Sequence, residues 1–509
     1  MERKELVSLR NAIEFLKENN DILTAKEEVD PIYEISGILK IFEDGPAVLF
    51  ENIKGYPGVR NIGNIFGREE RLAGIFGVES YKQLKFKALE AINKPIPPKI
   101  VENGPCQEIV IDKDVDVMAT LPIIKHTEAD AGRILGGGNT LVYGPLFDNG
   151  SHLSFNRMHF RGKDWSSMQI TVASHMEWIT MQHRGEKIPL TVNIGTPPPI
   201  IMISGAGGTH TAVPNGSDEL GIAGGLQGSP IEICRAKTVD AYSVAQSEWV
   251  IEGYIDTKQI VWESEESEKA GESIGVYFPE YTGYLGRARR SYKFQATAIT
   301  HRAENPIFFT PLAHSFECDN FSNPMRAAFF LQILAPMVPP GFLIDINVLH
   351  PQKAWAGVVL QIKKRRSRDE GYPKRLLSAA ITLAESLNIA IVVDDDIDIY
   401  STDDVMWALT TRVNPGSDLV MSSTGQGGLG GLRYETGATL GRAFAMEDYG
   451  AGEGIGFDAT IPKTLRWKFE QGKYPVDRID LKKWFSQKEI DNARAQQSEY
   501  ARLLVERGA

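Results

Sequence analysis

Two histidines, two glutamates and an arginine from the middle of the chain are the residues best suited to chemistry. His152-Leu153-Ser154-Phe155-Asn156-Arg157 alternates as a strand does, with His152, Ser154 and Asn156 on one face. Ser174 and His175 lie in a helical stretch from about Thr171 to Gln182, and Glu219 opens the run Glu-Leu-Gly-Ile-Ala-Gly. Two imidazoles and a carboxylate from separate elements form a ligand set for a divalent metal. Glu280 lies in the loop Pro279-Glu280-Tyr281-Thr282-Gly283-Tyr284, followed by Arg287, Arg289 and Arg290. A glutamate in such a Pro/Gly-bounded loop serves as a general acid when its surroundings raise its pKa. Taken alone, these residues also fit ordinary polar surface and a solvated turn.

The elements that must position them change character along the chain. Leu6, Leu9, Ile13 and Leu16 recur at helical spacing near the start, and Ala47–Phe50 is a short apolar run ending in turn-rich residues. The proline-rich segment Lys94–Pro98 marks a first boundary. From about 105 to 310, Leu141–Tyr143, Leu190–Ile194 and Ile200–Ile203 are expected to be strands of a closed or strongly curved sheet with a ligand cleft. Beyond 330 the order becomes strand, helix, strand. Val358–Ile362 and Ile389–Val393 flank a helix striped by Leu376, Leu377, Ala380, Ile381, Ala384 and Leu387. Ser401 and Asp404 suggest a capping box for a helix over Val405–Thr411. A parallel α/β domain is the economical reading, and the charged tail from Asp480 to Glu506 suits a helix lying across a neighbouring subunit.

A chain of 509 residues implies two or three domains, and its net charge of −11 argues against a nucleic-acid surface. The basic run Lys363–Arg366 with Arg368 is too short to change that; it follows a strand and meets solvent or a single phosphate. No run of apolar residues is long enough to span a membrane, and the charged N-terminus is unlike a secretory signal. Cys106, Cys234 and Cys318 are far apart in sequence without a CxxC, which fits a reducing, cytoplasmic setting and no disulfide framework. Gly425–Gly430 satisfies GxGxxG, but the residues after it read as loop, against a dinucleotide site.

The ordered motifs resemble the UbiD family along nearly the whole chain. They are Asn52–Pro57, the polar strand ending at Arg157, His175, Glu219–Gly224, Pro279–Tyr284, Val393–Ile399 with Val405–Arg412, and Gly456–Thr460. The branch they resemble most is that of hydroxybenzoate and protocatechuate decarboxylases. The resemblance implies an α/β (α+β) multidomain fold. Its parts would be an N-terminal α/β domain over 1–110, a split β-barrel flavin-binding domain over 111–325, and a C-terminal α/β oligomerisation domain with linking helix over 326–509. It implies reversible decarboxylation of an aromatic, heteroaromatic or α,β-unsaturated acid on prenylated FMN made by a partner prenyltransferase. The cofactor phosphate would be held through manganese or magnesium with potassium beside it, in a homo-oligomer, dimer or hexamer.

Carried over by position, His152, His175 and Glu219 would hold the metal, with His152 standing where the family often has Asn. His152, Ser154, Phe155, Asn156, Arg157, Ser174, His175 and Glu219 would contact the cofactor. Arg157 would be the centre of a Glu–Arg–Glu network with Glu280 as the second carboxylate. The first falls at Gly275, which cannot serve, and Glu272 is the nearby candidate to replace it. His314, Glu317 and Cys318 lie where the family places substrate-facing residues and receive no role. Two alternatives remain at this level: a metal-dependent hydrolase using His152, His175 and Glu219, and an inactive oligomeric subunit of the same fold.

Overall fold

The computed structural model describes residues 3–147, 150–170, 174–206, 217–273, 278–349, 357–384, 387–423, 453–470, 472 and 474–506. Its central feature is an antiparallel sheet that curls back on itself. The strands follow the order Ser151–Phe155, Asn139–Tyr143, Lys187–Ile194, Trp249–Trp262, Arg290–His301, Trp165–Met168, Met158–Phe160, and Ile109–Ile111 pairs with the far end of Arg290–His301. The two end strands are separated in sequence only by Asn156 and Arg157. Seven strands laid flat would put those ends about 29 Å apart, whereas the chain from Phe155 to Met158 reaches at most about 11 Å. The sheet therefore curls into a half-barrel, and Arg157 sits where its ends approach. Bulges at Glu252/Gly253 and Asp256/Ile260 supply local twist. At the first, a side chain on Gly253 would run into the Gln295 carbonyl oxygen.

One run departs from the expectation. Ile200–Ile203 is not a strand but part of a buried helix, Pro198–Ser204. A short apolar run is ambiguous by periodicity, and the prolines at 198 and 199 start the helix, where no backbone donor is needed. Cys106 and Cys234, 128 residues apart in sequence, meet in a small buried cluster with their sulfurs 3.8 Å apart.

The N-terminal region packs the helix Leu9–Glu18, through Leu9, Ala12, Ile13 and Leu16, near a sheet ordered Ile22–Ala25, Ala47–Phe50, Arg60–Gly63, Ile307–Phe309. The last of these strands arrives from beyond the half-barrel, so the first and middle parts of the chain are built together. Glu317, at the start of the long helix Phe316–Leu334, fastens this junction. Its carboxylate oxygens accept from the backbone N–H groups of Asn64 and Phe66, both at 3.0 Å.

After that linking helix comes a five-stranded sheet ordered Leu343–Val348, Gly357–Ile362, Ile389–Asp394, Glu453–Ala459, Leu419–Ser423. It is mixed, not all-parallel: the middle three strands run parallel and both edge strands antiparallel. The helix Tyr372–Leu383 lies against it through Leu376, Leu377, Ala380 and Ile381. The expected capping box at Ser401 is half formed. The Ser401 hydroxyl accepts from Asp404 N, but the Asp404 carboxylate accepts from Asp398 N instead of closing the box. Within the basic run, Lys364 is buried and bonds to Glu370, the Thr460 hydroxyl and the Ile461 carbonyl, so it is an internal tie and not an anion site. The GxGxxG motif at 425–430 and the residues 171–173 of the expected helix lie outside the described residues. No helix among the described residues is long and apolar enough to cross a membrane.

Glu317 makes the stability of this junction pH-dependent. Burial pushes its pKa up to about 7, against the pull of the two N–H groups and Arg71. Between the ordinary carboxyl value and about 7 the folded chain keeps a proton that the unfolded chain releases. Stability therefore falls as pH rises through that window, by up to roughly 3 kcal/mol. Wild-type melting temperature should drop more steeply from pH 5 to 8 than that of Glu317→Gln. Parallel pH profiles would show that Glu317 does not titrate in this range.

Candidate active site

Three elements converge beside the half-barrel to bring His152, His175 and Glu219 together. His152 is on the strand Ser151–Phe155, His175 is the first residue of the helix His175–Gln182, and Glu219 is the first residue of the helix Glu219–Gln227. Ser174 caps the first of these helices by accepting from Glu177 N at 3.2 Å. Ser151 ties the second to the strand: its hydroxyl donates to Asp218 at 2.6 Å and accepts from Leu220 N at 2.7 Å. Two helix N-termini thus open on one place, a setting that favours bound negative charge.

The three side chains are buried, and their ligand atoms all lie within 4.8 Å of one another. The Nδ1 atoms of His175 and His152 approach Glu219 Oε1 at 3.1 and 3.4 Å, and Leu153 N donates to Glu219 Oε2 at 2.6 Å. Burial opposes ionisation of Glu219, but His152 foremost, and then His175, hold its pKa down at about 2. A buried carboxylate kept ionised between two imidazoles is a donor set that fits a divalent cation. Among the described residues, no group hydrogen-bonds His152 Nε2.

Further along the same chain segment, the Ser154 hydroxyl donates to Asn156 Oδ1 at 2.8 Å, and Asn156 Nδ2 donates to the Gln169 carbonyl. The Phe155 ring packs on Phe321 of the linking helix, with centroids 5.7 Å apart. Arg157 then enters the seam and is clamped on two sides. Its Nε and Nη2 donate to the two oxygens of Glu263 at 2.9 and 2.8 Å, and its Nη1 donates to Glu280.

The first carboxylate of this network is therefore Glu263, which the spacing argument missed. Glu272 is exposed, just past the helix Glu265–Ala270, and Gly275 lies outside the described residues. Glu263 directly follows the long strand Trp249–Trp262 and precedes Ser264, which caps that helix. An acidic residue pinned between a strand end and a helix cap was the available signal. Simple spacing pointed instead to Gly275, 12 residues further along the chain.

The two carboxylates differ in kind. Glu263 is fully buried and also accepts from Arg289 N at 2.7 Å, so both of its oxygens are committed. Glu280 is 28% exposed at its side chain, and its Oε2 bonds to no described residue. Gly286 makes room for it, since a side chain there would collide with Glu280 Oε1. His314 Nδ1 donates to the Tyr281 carbonyl at 3.1 Å, next to Glu280, whereas Glu317 and Cys318 belong to the start of the linking helix.

Comparison with known proteins identifies the family. Residues 13–87, 99–314 and 320–428 match the N-terminal, Rift-related and C-terminal domains of the UbiD models, described as 3-octaprenyl-4-hydroxybenzoate carboxy-lyase. The chain belongs to the UbiD family. As a UbiD chain it is a carboxy-lyase, and neither the hydrolase nor the inactive-subunit alternative is favoured. It is 28% identical to gallate decarboxylase of Lactiplantibacillus plantarum over 418 residues, covering 78% of this chain and 82% of the relative. It superposes on the UbiD-class enzyme HmfF from Pelotomaculum thermopropionicum in complex with FMN, with a TM-score of 0.79 at 26% identity, covering 94% of this chain and 100% of that one. It also superposes on apo 3,4-dihydroxybenzoic acid decarboxylase from Enterobacter cloacae, with a TM-score of 0.79 at 26% identity, covering 94% and 98%.

Breaking a buried ion pair from one side strands the other charge. Glu263→Ala should destabilise the fold by about 3–5 kcal/mol, and Glu272→Ala should change stability by less than about 0.5 kcal/mol. Denaturant midpoints of the two variants check this. Equal midpoints would mean that Glu263 does not anchor Arg157.

Proposed function

We propose that this chain reversibly decarboxylates an aromatic acid, of the hydroxylated benzoate type, on prenylated FMN. The observation that carries the reading is the clamp of Arg157 between a buried and a half-exposed carboxylate, beside the buried His152–His175–Glu219 cluster. Support for a flavin comes from the HmfF structure, which holds FMN, and for an aromatic acid from the gallate and dihydroxybenzoate decarboxylases. When bound, prenylated FMN supplies the electron sink that loss of carbon dioxide from an sp2 carbon requires.

This chain's residues divide the remaining work. His152, His175 and Glu219 would hold a divalent cation, manganese or magnesium. Such a cation, with potassium beside it, would supply positive charge for the cofactor phosphate, to which the two helix N-termini would add. Ser154, Phe155, Asn156 and Ser174 line the cofactor. Arg157 is held flat by Glu263, so the edge toward Glu280 is presented in one orientation to the substrate carboxylate. Glu280 keeps one oxygen outside that pairing and delivers the proton that replaces carbon dioxide. Glu263 cannot take that role, because both of its oxygens are bound within the protein.

The protein also works as a homo-oligomer and takes its cofactor from a separate flavin prenyltransferase. A further copy of the chain is the natural cover for the tail, where Trp467, Tyr474, Trp484 and Phe485 are all more than half exposed. That segment is net basic on an acidic chain, so attraction between copies favours the same contact. Light scattering on the eluting protein should give at least twice the chain mass of 56.4 kDa. A monomer at micromolar concentration would contradict the assembly.

The catalytic assignment is tested with protein made together with the prenyltransferase. Glu280→Gln should keep its flavin, lose turnover by at least about 100-fold, and lose deuterium exchange at the product carbon. His175→Ala should instead lose the flavin itself on dialysis against a chelator. Normal exchange in Glu280→Gln would remove the proton-transfer role.

A further inference from the structure

Two of the chain's three thiols lie against each other in the interior, although 128 residues of sequence separate them. The sulfurs of Cys106 and Cys234 are 3.8 Å apart, and both side chains are fully buried. Hydrogen bonds fix the elements that carry them. Cys234 is on the strand Glu232–Arg235, and Cys106 is in the single turn Pro105–Gln107. Cys106 N donates to the Ala245 carbonyl at 3.2 Å, and Ala245 N donates to the Glu232 carbonyl at 2.9 Å. Gln107 Nε2 donates to the Arg235 carbonyl at 2.7 Å, so the turn is tied to both ends of the strand. Gly104 lies so close to Ala245 that a side chain there would collide with its backbone. The two sulfurs therefore meet whenever the chain is folded, and a disulfide needs them to close by about 2 Å.

The cover over this pair is thin. Among the described residues its core holds Ala245 and Val250 besides the two cysteines, with Val101 packed against it, and it is distinct from the large cores of the half-barrel. Val101 ends the three-residue strand Lys99–Val101, an edge strand bonded on one side to Glu232–Arg235, and its neighbour Ile100 is 56% exposed. A short exposed edge of this kind opens locally while the structure behind it stays folded. When it frays, Val101 leaves the cluster and a small reagent reaches Cys234. The two thiols also differ. The hydrogen bond from Cys106, with Lys237 acting in the same direction against burial, holds the Cys234 thiol below its ordinary pKa, and the same contact and burial hold Cys106 above it. The thiolate is the reactive form, so Cys234 is the attacking sulfur. Burial pushes the third thiol, Cys318 on the linking helix, well up.

We propose that Cys106 and Cys234 are a reversible dithiol–disulfide site whose oxidant is a small hydroperoxide. With hydrogen peroxide, the Cys234 sulfur attacks one oxygen, the O–O bond breaks, water leaves, and Cys234 becomes a sulfenic acid. The Cys106 sulfur then attacks that sulfur, forming the S–S bond. The sulfenic oxygen departs as a second water, taking the Cys106 thiol proton. Two thiols thus lose two electrons, and one peroxide is reduced to two waters. The closed bond encircles the segment that carries His152, Arg157, His175 and Glu219, and leaves Glu263 and Glu280 outside it. Joining two points so distant in sequence restricts the unfolded chain, so oxidation staples the part of the fold that presents most of the site. The site is independent of the decarboxylase reading.

The test treats the full chain with hydrogen peroxide in native buffer, then counts thiols after denaturation and maps the peptides. Wild type should fall from three free thiols to one. It should yield a peptide pair joined through Cys106 and Cys234 that dithiothreitol separates, and the cross-linked protein should melt a few degrees higher than the reduced one. Cys318→Ser should form the same cross-link and keep no free thiol. Cys106→Ser should stop at a sulfenic acid on Cys234, trapped by dimedone. The wild-type peptide map decides the matter even where Cys106→Ser fails to fold. Three thiols surviving millimolar peroxide would overturn the site, as would a cross-link that runs through Cys318 or joins two chains. A cross-linked protein that melts no higher than the reduced one would overturn the staple.

Discussion

A guanidinium pushed into the seam of a curled sheet must be matched by a charge fixed before any ligand arrives, and the Arg157–Glu263 pair meets that constraint. The sheet's two end strands are joined by only Asn156 and Arg157, so the connection that closes the half-barrel also carries the guanidinium. Glu263 stands at the end of the longest strand, immediately before a Ser264-capped helix, and cannot shift without disturbing both. The Arg157 orientation, and through it the contact with Glu280, therefore rests on one interaction at the place where the sheet's ends approach.

That arrangement separates two tasks that a single carboxylate could not perform. A carboxylate with both oxygens bound in the interior orients its partner but has nothing left for a substrate. One held by a single oxygen at the mouth of the site can exchange a proton. In the proposed reading the His152–His175–Glu219 cluster applies similar logic to cofactor charge. Two helix N-termini and a carboxylate kept ionised by imidazoles prepare a polar pocket in advance, so that little reorganisation accompanies binding.

Much of this was legible in the residues, and the failures have physical causes. The helix stripe Leu9–Leu16 and the helix around Leu376–Ile381 follow periodicity set by burial on one face. The strands at 141–143, 190–194 and 389–393 show as short, almost wholly buried apolar or β-branched runs bounded by turn residues, and both kinds of signal held there. The second kind failed at Ile200–Ile203, because a four-residue apolar run buried on every side carries no period, and its flanking prolines were the better guide. The mixed strand directions of the C-terminal sheet could not be read from apolar runs, which look alike in either direction. The metal-type cluster and Glu280 stood out by residue type and setting, and a family resemblance carried by order and motif supplied the roles expected of them and of Arg157. Glu263 escaped because its partnership with Arg157 spans 106 residues and is created by strand pairing, which no local spacing encodes. The contact between Cys106 and Cys234 was hidden for the same reason.

The central claim is that this site is built to hold a prenylated flavin and to use it on an aromatic acid. The most direct measurement is a mass spectrum and an ultraviolet–visible spectrum of the chain produced together with a flavin prenyltransferase. The account predicts that the mass of prenylated FMN, with absorption in the near-ultraviolet and visible, co-purifies with wild type. Protein that is colourless and flavin-free, under conditions that load another UbiD enzyme, would contradict it.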